Sequence, residues 1–162
     1  HRYIESGLEN VYLRYVEIAT CGCETVPVVR AAPLLQKIIA FCMVYKPARL
    51  RGREIRFIRS AMGRSSKDFA VALSVAPETL SRIENEKEPV SKGLDKLVRA
   101  RTALHFLQRE GLVKLFDLEK FQALIDGELP DDDAHLALFL DYTGPYIGRH
   151  ESRVEFEFRD AA

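Results

Sequence analysis

Residues 66–87 read SKDFAVALSVAPETLSRIENEK, and this pattern predicts two short helices joined by a tight turn. Ser65 or Ser66 would cap the first helix, because a short hydroxyl side chain accepts a hydrogen bond from the free amides of the first turn. Pro77 suits the first position of the second helix, where no amide donor is needed. The apolar residues that recur at helical spacing and would face the core are Phe69, Ala70, Leu73, Leu80 and Ile83.

Three further helices are predicted around this pair. One spans Pro33 to Tyr45, and another spans Gly52 to Met62 and ends at Gly63, an ordinary C-terminal stop. Pro89 would stop the second helix of the pair, and Ser91 would cap a longer helix after it. The inner side of that longer helix would carry Leu94, Leu97, Val98, Arg101 and Leu104.

Strand signals lie near both ends of the chain. Two segments rich in Val, Ile and Tyr, Asn10 to Ile18 and Glu24 to Arg30, flank Cys21-Gly22-Cys23 and predict an antiparallel hairpin. Apolar and charged residues alternate over Arg153 to Arg159, which predicts a strand that needs a sheet partner, and the hairpin is the expected one. Two helices are predicted in the remaining carboxyl-terminal sequence, over Leu118 to Ile125 and Asp132 to Tyr142.

Opposite charges are sorted into different segments of this 162-residue chain, although its formal net charge is zero. Residues 46–114 carry sixteen basic and eight acidic side chains, a net charge of +8. Residues 115–162 carry four basic and twelve acidic side chains, a net charge of −8. A basic segment around a helix pair is what binding a phosphate backbone requires, because contacts with phosphates release counterions. The alternative explanation is that a block of like charges is simply a solvent-exposed face.

Composition narrows the class of protein. Three cysteines are an odd number, which argues against a disulfide framework and for a reducing, cytoplasmic compartment. The longest apolar run, Ile38 to Tyr45, is far shorter than the ~18 residues of a membrane span, so no membrane is expected as a partner. Cys21 and Cys23 supply at most half of a zinc site. No cofactor is therefore predicted, and zinc at this pair stays open as an alternative.

Residues 63–85 resemble the helix-turn-helix of the phage-repressor (XRE) family. The matching positions are Phe69, Ala70, Leu73, Val75, Thr79, Leu80, Ser81, Arg82, Ile83 and Glu84. The chain departs from the family pattern at four positions. Ser66 replaces a Gln, Ser74 replaces the turn Gly, Ala76 replaces a Ser or Thr cap, and Glu86 replaces the Gly after the recognition helix.

The resemblance implies a set of DNA-binding residues. Pro77, Glu78, Ser81 and Arg82 would lie on the groove-facing side of the recognition helix, and Thr79 belongs to the same predicted interface. Arg82 can donate two hydrogen bonds to guanine, whereas Glu78 either accepts from a cytosine amino group or complements the helix dipole and pairs with Arg82. The predicted phosphate contacts are Ser65, Ser66 and Lys67 at a helix amino terminus, flanked by Arg64, Asn85 and Lys87. In the family, the positions of Arg59 and Glu84 form a partly buried salt bridge.

A wider resemblance covers residues 1–107. The segments 1–13 and 50–59 and the Cys-Gly-Cys-Glu turn look like MqsA-type antitoxin regulators. In those proteins an amino-terminal zinc ribbon precedes a helix-turn-helix, the protein dimerises on promoters, and some members bind a toxin. The first cysteine pair of that ribbon lies upstream of the position of His1 in the family, so residues 1–32 would be a degenerate ribbon or the downstream half of a truncated one.

These observations predict a mainly α protein of the α+β class. A helix-turn-helix domain of four to five helices would occupy residues 33–114, and a small β element would form from the hairpin in residues 1–32 and the C-terminal strand. Residues 115–162 would supply acidic helices and a strand for dimerisation or interaction, or would fold back on the basic segment.

The predicted function is a sequence-specific DNA-binding transcriptional regulator, a repressor acting as a homodimer on an inverted repeat of double-stranded DNA. The alternative is an antitoxin or antiactivator that binds a partner protein such as a toxin. Because the sequence shows no phosphate loop, metal-ligand cluster or nucleophile–base constellation, no enzymatic activity is predicted.

Overall fold

The computed structural model describes residues 1–109, 112–132, 135–142 and 154–160, and within these ranges it shows a mixed α and β fold. The helices are α1 (Ala32–Cys42), α2 (Gly52–Ala61), α3 (Ser66–Ala72), α4 (Pro77–Glu84), α5 (Lys92–Arg109) and α6 (Leu118–Asp126). The strands are β1 (Val11–Arg14), β2 (Glu17–Cys21), β3 (Glu24–Val28), β4 (Ala137–Asp141) and β5 (Phe156–Arg159). Short 3-10 turns occupy Ile4–Ser6, Met43–Tyr45 and Leu112–Leu115. The six helices thus include each of those predicted before residue 126.

The prediction of a helix over Asp132 to Tyr142 is wrong, because this segment contains β4 at the centre of a three-stranded sheet. β4 runs parallel to β1, with Val11 opposite Leu138, and antiparallel to β5, with Leu138 opposite Phe158. A short apolar run that is buried on both faces has the same composition in a strand as in a core helix, so periodicity did not separate the two.

The predicted hairpin is only partly confirmed. β2 and β3 pair antiparallel around Gly22, whose φ of +64° suits a tight turn. The first predicted arm, however, is divided at Tyr15, where φ is +57°, and β1 leaves the hairpin for the other sheet. The predicted strand near the carboxyl terminus is confirmed over β5, while Arg153 lies outside the described residues. Its partner is β4, so the hairpin does not supply the pairing that was expected.

A single cluster of buried apolar residues includes side chains from all three predicted regions, residues 1–32, 33–114 and 115–162. Tyr3 and Val11 come from the first segment, the run Ile38 to Tyr45 comes from the second, and Leu138 and Tyr142 come from the third. Every residue of that central run is buried, which explains why α1 carries almost no polar side chain there.

The predicted inner side of α5 is confirmed at Leu94 and Val98, which are buried, but not at its carboxyl-terminal end. Asp95 and Arg99 are buried, whereas Leu104 is 51% exposed and Arg101 is exposed. Arg99 donates to Asp95 (Nε to Oδ2, 2.8 Å) and to three backbone carbonyls, those of Val44, Lys46 and Ala48. Because a buried guanidinium is tolerated only when its donors are satisfied, this network allows Arg99 to lie on the inward side of α5 beside Val98.

A buried ion cluster ties the acidic carboxyl-terminal segment to the basic segment. The Lys46 ammonium contacts Glu54 (Nζ to Oε1, 2.7 Å) and Asp132 (Nζ to Oδ2, 2.5 Å), and all three side chains are at most 2% exposed. Asn10 adds bonds to Glu54 Oε1 at 3.2 Å and to the Leu136 carbonyl at 2.7 Å. Residues far apart in sequence therefore meet at the start of α2.

Candidate nucleic-acid interface

α3 and α4 pack as an amphipathic pair, as the opening pattern predicts. Phe69, Ala70 and Leu73 of the first helix and its end are buried, as are Leu80 and Ile83 of the second. Ser65 is the cap of α3, because its Oγ accepts the Asp68 amide at 3.0 Å. The outward residues of both helices are mostly polar, although Val71 of α3 is 72% exposed.

The turn between the helices forces a serine into a conformation that favours glycine. Ser74 has φ +56°, at the position where the family pattern has Gly. The Val75 amide closes the turn by donating to the Ala70 carbonyl at 3.0 Å. A left-handed conformation costs an L-residue about 1–2 kcal/mol, and the buried contacts of the two helices offset that cost. Ala76 precedes α4 without any side-chain cap.

An arginine from α2 anchors α4, which confirms the predicted salt bridge. Arg59 donates to Glu84 through Nε (2.6 Å) and Nη2 (2.9 Å), and the two side chains are only 15% and 6% exposed. The same guanidinium donates from Nη1 to the Arg64 carbonyl at 3.0 Å. These bonds with Glu84 raise the pKa of Arg59. One side chain thus fixes α4 and the backbone just before α3.

α4 ends at Glu84, before the predicted stop at Pro89. Glu86 has φ +57°, and the next amide, that of Lys87, donates back to the Arg82 carbonyl at 2.8 Å. This is the pattern of a left-handed helix cap, built here with Glu where the family has Gly. The stop is therefore set by Glu86, not by the proline that follows.

Glu86 also links the end of α4 to the start of α2. Its carboxylate receives two hydrogen bonds from Arg53, Nε to Oε1 at 3.2 Å and Nη2 to Oε2 at 2.8 Å, and these lower the pKa of Glu86. Close backbone approach explains Gly52 at the same junction, since a Cβ there would lie 1.9 Å from the Ile83 carbonyl oxygen. No side chain fits that space.

The structure leaves the predicted base-contacting residues accessible. Pro77, Glu78, Ser81 and Arg82 are exposed, and Thr79 is half-buried. The Arg82 side chain is 64% exposed and lies 3.5 Å from Glu88 (Nε to Oε2), so it pairs with that residue and not with Glu78. An ion pair this exposed contributes little stability and is readily exchanged for another acceptor.

The predicted phosphate-contacting residues are placed in two groups. Ser65, Ser66 and Lys67 lie together at the start of α3, and Lys67 is exposed. Asn85 and Lys87 lie at the end of α4, where the Asn85 amide already donates to the Ser81 carbonyl at 2.7 Å. The list of predicted contacts is completed by Arg64, which is exposed but lines a groove against α5, beside Arg101 and Arg109. Arg101 is predicted on the core side of α5 but is exposed, and Arg109 is not among the predicted contacts.

Acidic residues also lie near the end of α4. A groove of about 460 Å³ lies beside this end of the helix. It is lined by the loop from Glu86 to Val90 and by Asp131 and Asp132. Asp131 is held there by Arg49 (Oδ1 to Nη2, 2.5 Å). Part of the acidic carboxyl-terminal segment therefore contacts the basic segment, and Glu84 and Glu86 near α4 are neutralised by arginines of α2.

Cys23 and Cys42 have different environments. Cys23 is exposed beside the β2–β3 turn, and Cys42 is buried, which raises the pKa of its thiol. Among the described residues, no group of three or more His, Cys, Asp and Glu side chains could hold a metal ion. Zinc at the Cys21 and Cys23 pair stays an open alternative.

Comparison with protein-family models, curated proteins and solved structures finds no match to this chain. In the described parts of the chain, no helix has both the length and the apolar character that crossing a membrane requires.

Proposed function

We propose that this chain is a sequence-specific DNA-binding regulator of transcription, in which α3 and α4 form a helix-turn-helix and α4 enters the major groove. The observation that carries the proposal is the placement of Arg82. Its side chain is 64% exposed, on a helix whose opposite face is buried and whose end is fixed by Glu84 and Glu86. A fixed helix whose guanidinium is held only by an exposed ion pair with Glu88 is suited to bidentate recognition of guanine.

The start of α3 supports the same proposal. Ser65 caps the helix, Ser66 follows it and Lys67 is exposed, so first-turn amides and a cation are presented together, next to the Asp68 carboxylate to which the Ser65 hydroxyl donates at 2.7 Å. Such a helix amino terminus favours a phosphate. Phosphate contacts here would set the register in which Arg82 meets the bases.

The proposed regulator acts as a homodimer that represses from an inverted repeat. One helix-turn-helix reads only a few base pairs, and two related by a two-fold axis read half-sites about 10 base pairs apart or a multiple of that spacing. Light scattering of the free chain and of its complex measures this directly: two chains on one duplex are expected, and a single chain on every bound duplex contradicts the dimer.

The experiment that tests the function is selection of bound duplexes from a random library, followed by affinity measurements with variants. Arg82→Ala is expected to weaken binding to the selected site by about 1–3 kcal/mol and to relax base preference at one position. Arg56→Ala, on the exposed side of α2, serves as the matched control and should retain both affinity and preference. Failure to enrich any sequence, or equal behaviour of the two variants, rejects the proposal.

A further inference from the structure

A groove of about 260 Å³ lies between α3 and α5, apart from the exposed face of α4. Its apolar surface includes Met62, Phe69 and Leu104, and its cationic side chains are Arg64, Arg101 and Arg109. Leu104 is 51% exposed, so apolar surface is open to solvent here rather than sealed in the core.

The three guanidiniums have a common feature. Within the described residues, none of them forms an ion pair with a carboxylate, and none of the described residues lining the groove is acidic. By contrast, Arg53, Arg59 and Arg99 each hold a carboxylate. Like charges that line one groove repel one another, and an anion bound in the groove would be attracted to all three.

We propose that this groove binds a small carboxylate that carries a short apolar chain. The guanidiniums match a carboxylate because Arg donates two parallel hydrogen bonds in the geometry of that group. The apolar side chains would cover the chain of the ligand, which removes their surface from water. The volume is just below the ~300 Å³ at the lower end of ordinary ligand pockets, so the groove suits a small ligand and is too small for a nucleotide cofactor.

The groove is connected to the proposed DNA-binding helices through Arg64. This residue directly precedes Ser65, the cap of α3, and its carbonyl accepts a hydrogen bond from Arg59, which holds Glu84 of α4. A carboxylate that engages the Arg64 side chain would withdraw it from a DNA phosphate. The ligand therefore weakens DNA binding, and DNA weakens ligand binding by the same factor. This regulatory part rests on the proposed function, whereas the binding site itself does not.

The site is tested by calorimetric titration of the full chain with octanoate, in the absence of DNA. Saturable binding of one octanoate is expected, with at least tenfold weaker binding to Arg101→Gln. Arg56→Gln, also an exposed arginine outside the groove, should bind like the wild type. Acetate, 1-octanol and inorganic phosphate each lack part of the required chemistry and should bind at least tenfold more weakly. Because Arg101 is exposed, its variant should keep the wild-type melting temperature.

Three results overturn the site: no saturable octanoate binding, equal affinity of the two arginine variants, or binding of phosphate as tight as that of octanoate. The coupling is tested separately by measuring affinity for a selected duplex with and without saturating octanoate, and a severalfold loss is expected in the wild type but not in Arg101→Gln. An unchanged DNA affinity overturns the coupling while the site stands. Absence of any DNA binding, together with octanoate binding, overturns the proposed function and the coupling but leaves the site.

Discussion

The guanidinium of Arg59 holds the carboxylate of Glu84 through two hydrogen bonds of 2.6 and 2.9 Å, and a third bond of 3.0 Å reaches the Arg64 carbonyl. One mostly buried side chain thus links α4 to α2 and to the backbone just before α3, in addition to the buried Leu80 and Ile83. A helix of eight residues has little stability of its own, so its orientation must come from tertiary contacts such as these.

Arg59→Leu should lower the free energy of unfolding by about 3 kcal/mol, because Glu84 is then left buried without its cation. Arg56→Leu lies on the same helix but on its exposed side, and it should change stability by no more than about 0.5 kcal/mol. Urea denaturation of both variants measures the difference. Similar losses in the two variants would show that the pair does not anchor α4.

Ser74→Gly should increase the free energy of unfolding by about 0.5–1 kcal/mol. Glycine removes about 1–2 kcal/mol of left-handed strain at φ +56° and adds about 0.5–1 kcal/mol of backbone entropy to the unfolded chain. Ser60→Gly, in the right-handed last turn of α2, should instead be destabilising. Thermal and urea unfolding can compare the two, and destabilisation by Ser74→Gly would contradict the assigned turn.

Local patterns in the central part of the sequence predicted its structure well. Phe69, Ala70, Leu80 and Ile83 are buried where helical spacing requires, and Ser65 caps α3. The resemblance also identified the Arg59–Glu84 pair. These features depend on residues close in sequence or on a spacing that a family pattern carries.

The errors arose where long-range contacts decide. The strand β4 was predicted as a helix because its apolar run fits either structure, and only its pairing with β1 and β5 selects the strand. On α5 the buried Leu94 and Val98 were predicted correctly, but the burial of Arg99 was not, because it depends on bonds to Asp95 and to backbone carbonyls. Sequence spacing contains no information about such partners.

Lys46→Met should cost at least about 3 kcal/mol of stability, because it leaves Glu54 and Asp132 buried without a cation. Lys92→Met removes a lysine from an exposed pair with Glu128 and should cost about 0–1 kcal/mol. Chemical denaturation followed by circular dichroism gives both values. A small loss for the first variant would mean that the cluster does not tie the carboxyl-terminal segment to the basic one.

Because the Lys46 cluster includes Asp132, deleting the acidic segment would also disrupt the fold. Deleting residues 115–162 would remove Asp132, β4 and β5 and uncover the core around Leu13. Point variants such as Asp131→Asn, which removes the exposed partner of Arg49, are better suited to ask whether acidic residues limit DNA binding.

The contact of Glu86 with Arg53 predicts how the free energy of unfolding depends on pH. Arg53 lowers the pKa of this carboxyl from its ordinary value of 4.5 in the folded chain. The stabilisation that the ionised Glu86 carboxylate contributes is thus complete above its pKa in the unfolded chain. It is lost as the pH falls through the lower pKa of this carboxyl in the folded chain. Wild type should be more stable than Glu86→Gln near neutral pH, and the difference should shrink below about pH 4.5.

The measurement for Glu86 is urea unfolding of both proteins over a series of pH values. Arg56→Gln removes a charge but no carboxylate, so its difference from wild type should show no comparable change in that range. A wild-type advantage that stays constant to the lowest pH would argue against the Arg53–Glu86 contact.

The central claim, that the surface of α3 and α4 binds duplex DNA, is tested most directly by the salt dependence of binding. Fluorescence anisotropy with a labelled random-sequence duplex gives the dissociation constant at a series of salt concentrations. We predict binding at low ionic strength, with the logarithm of the binding constant falling linearly with the logarithm of the salt concentration. The magnitude of this slope should be smaller by about 0.9 in Lys67→Gln and, separately, by about 0.9 in Lys87→Gln, and it should be unchanged in Arg56→Gln. Absence of binding at low salt, or the same slope in all three variants as in the wild type, would contradict the account.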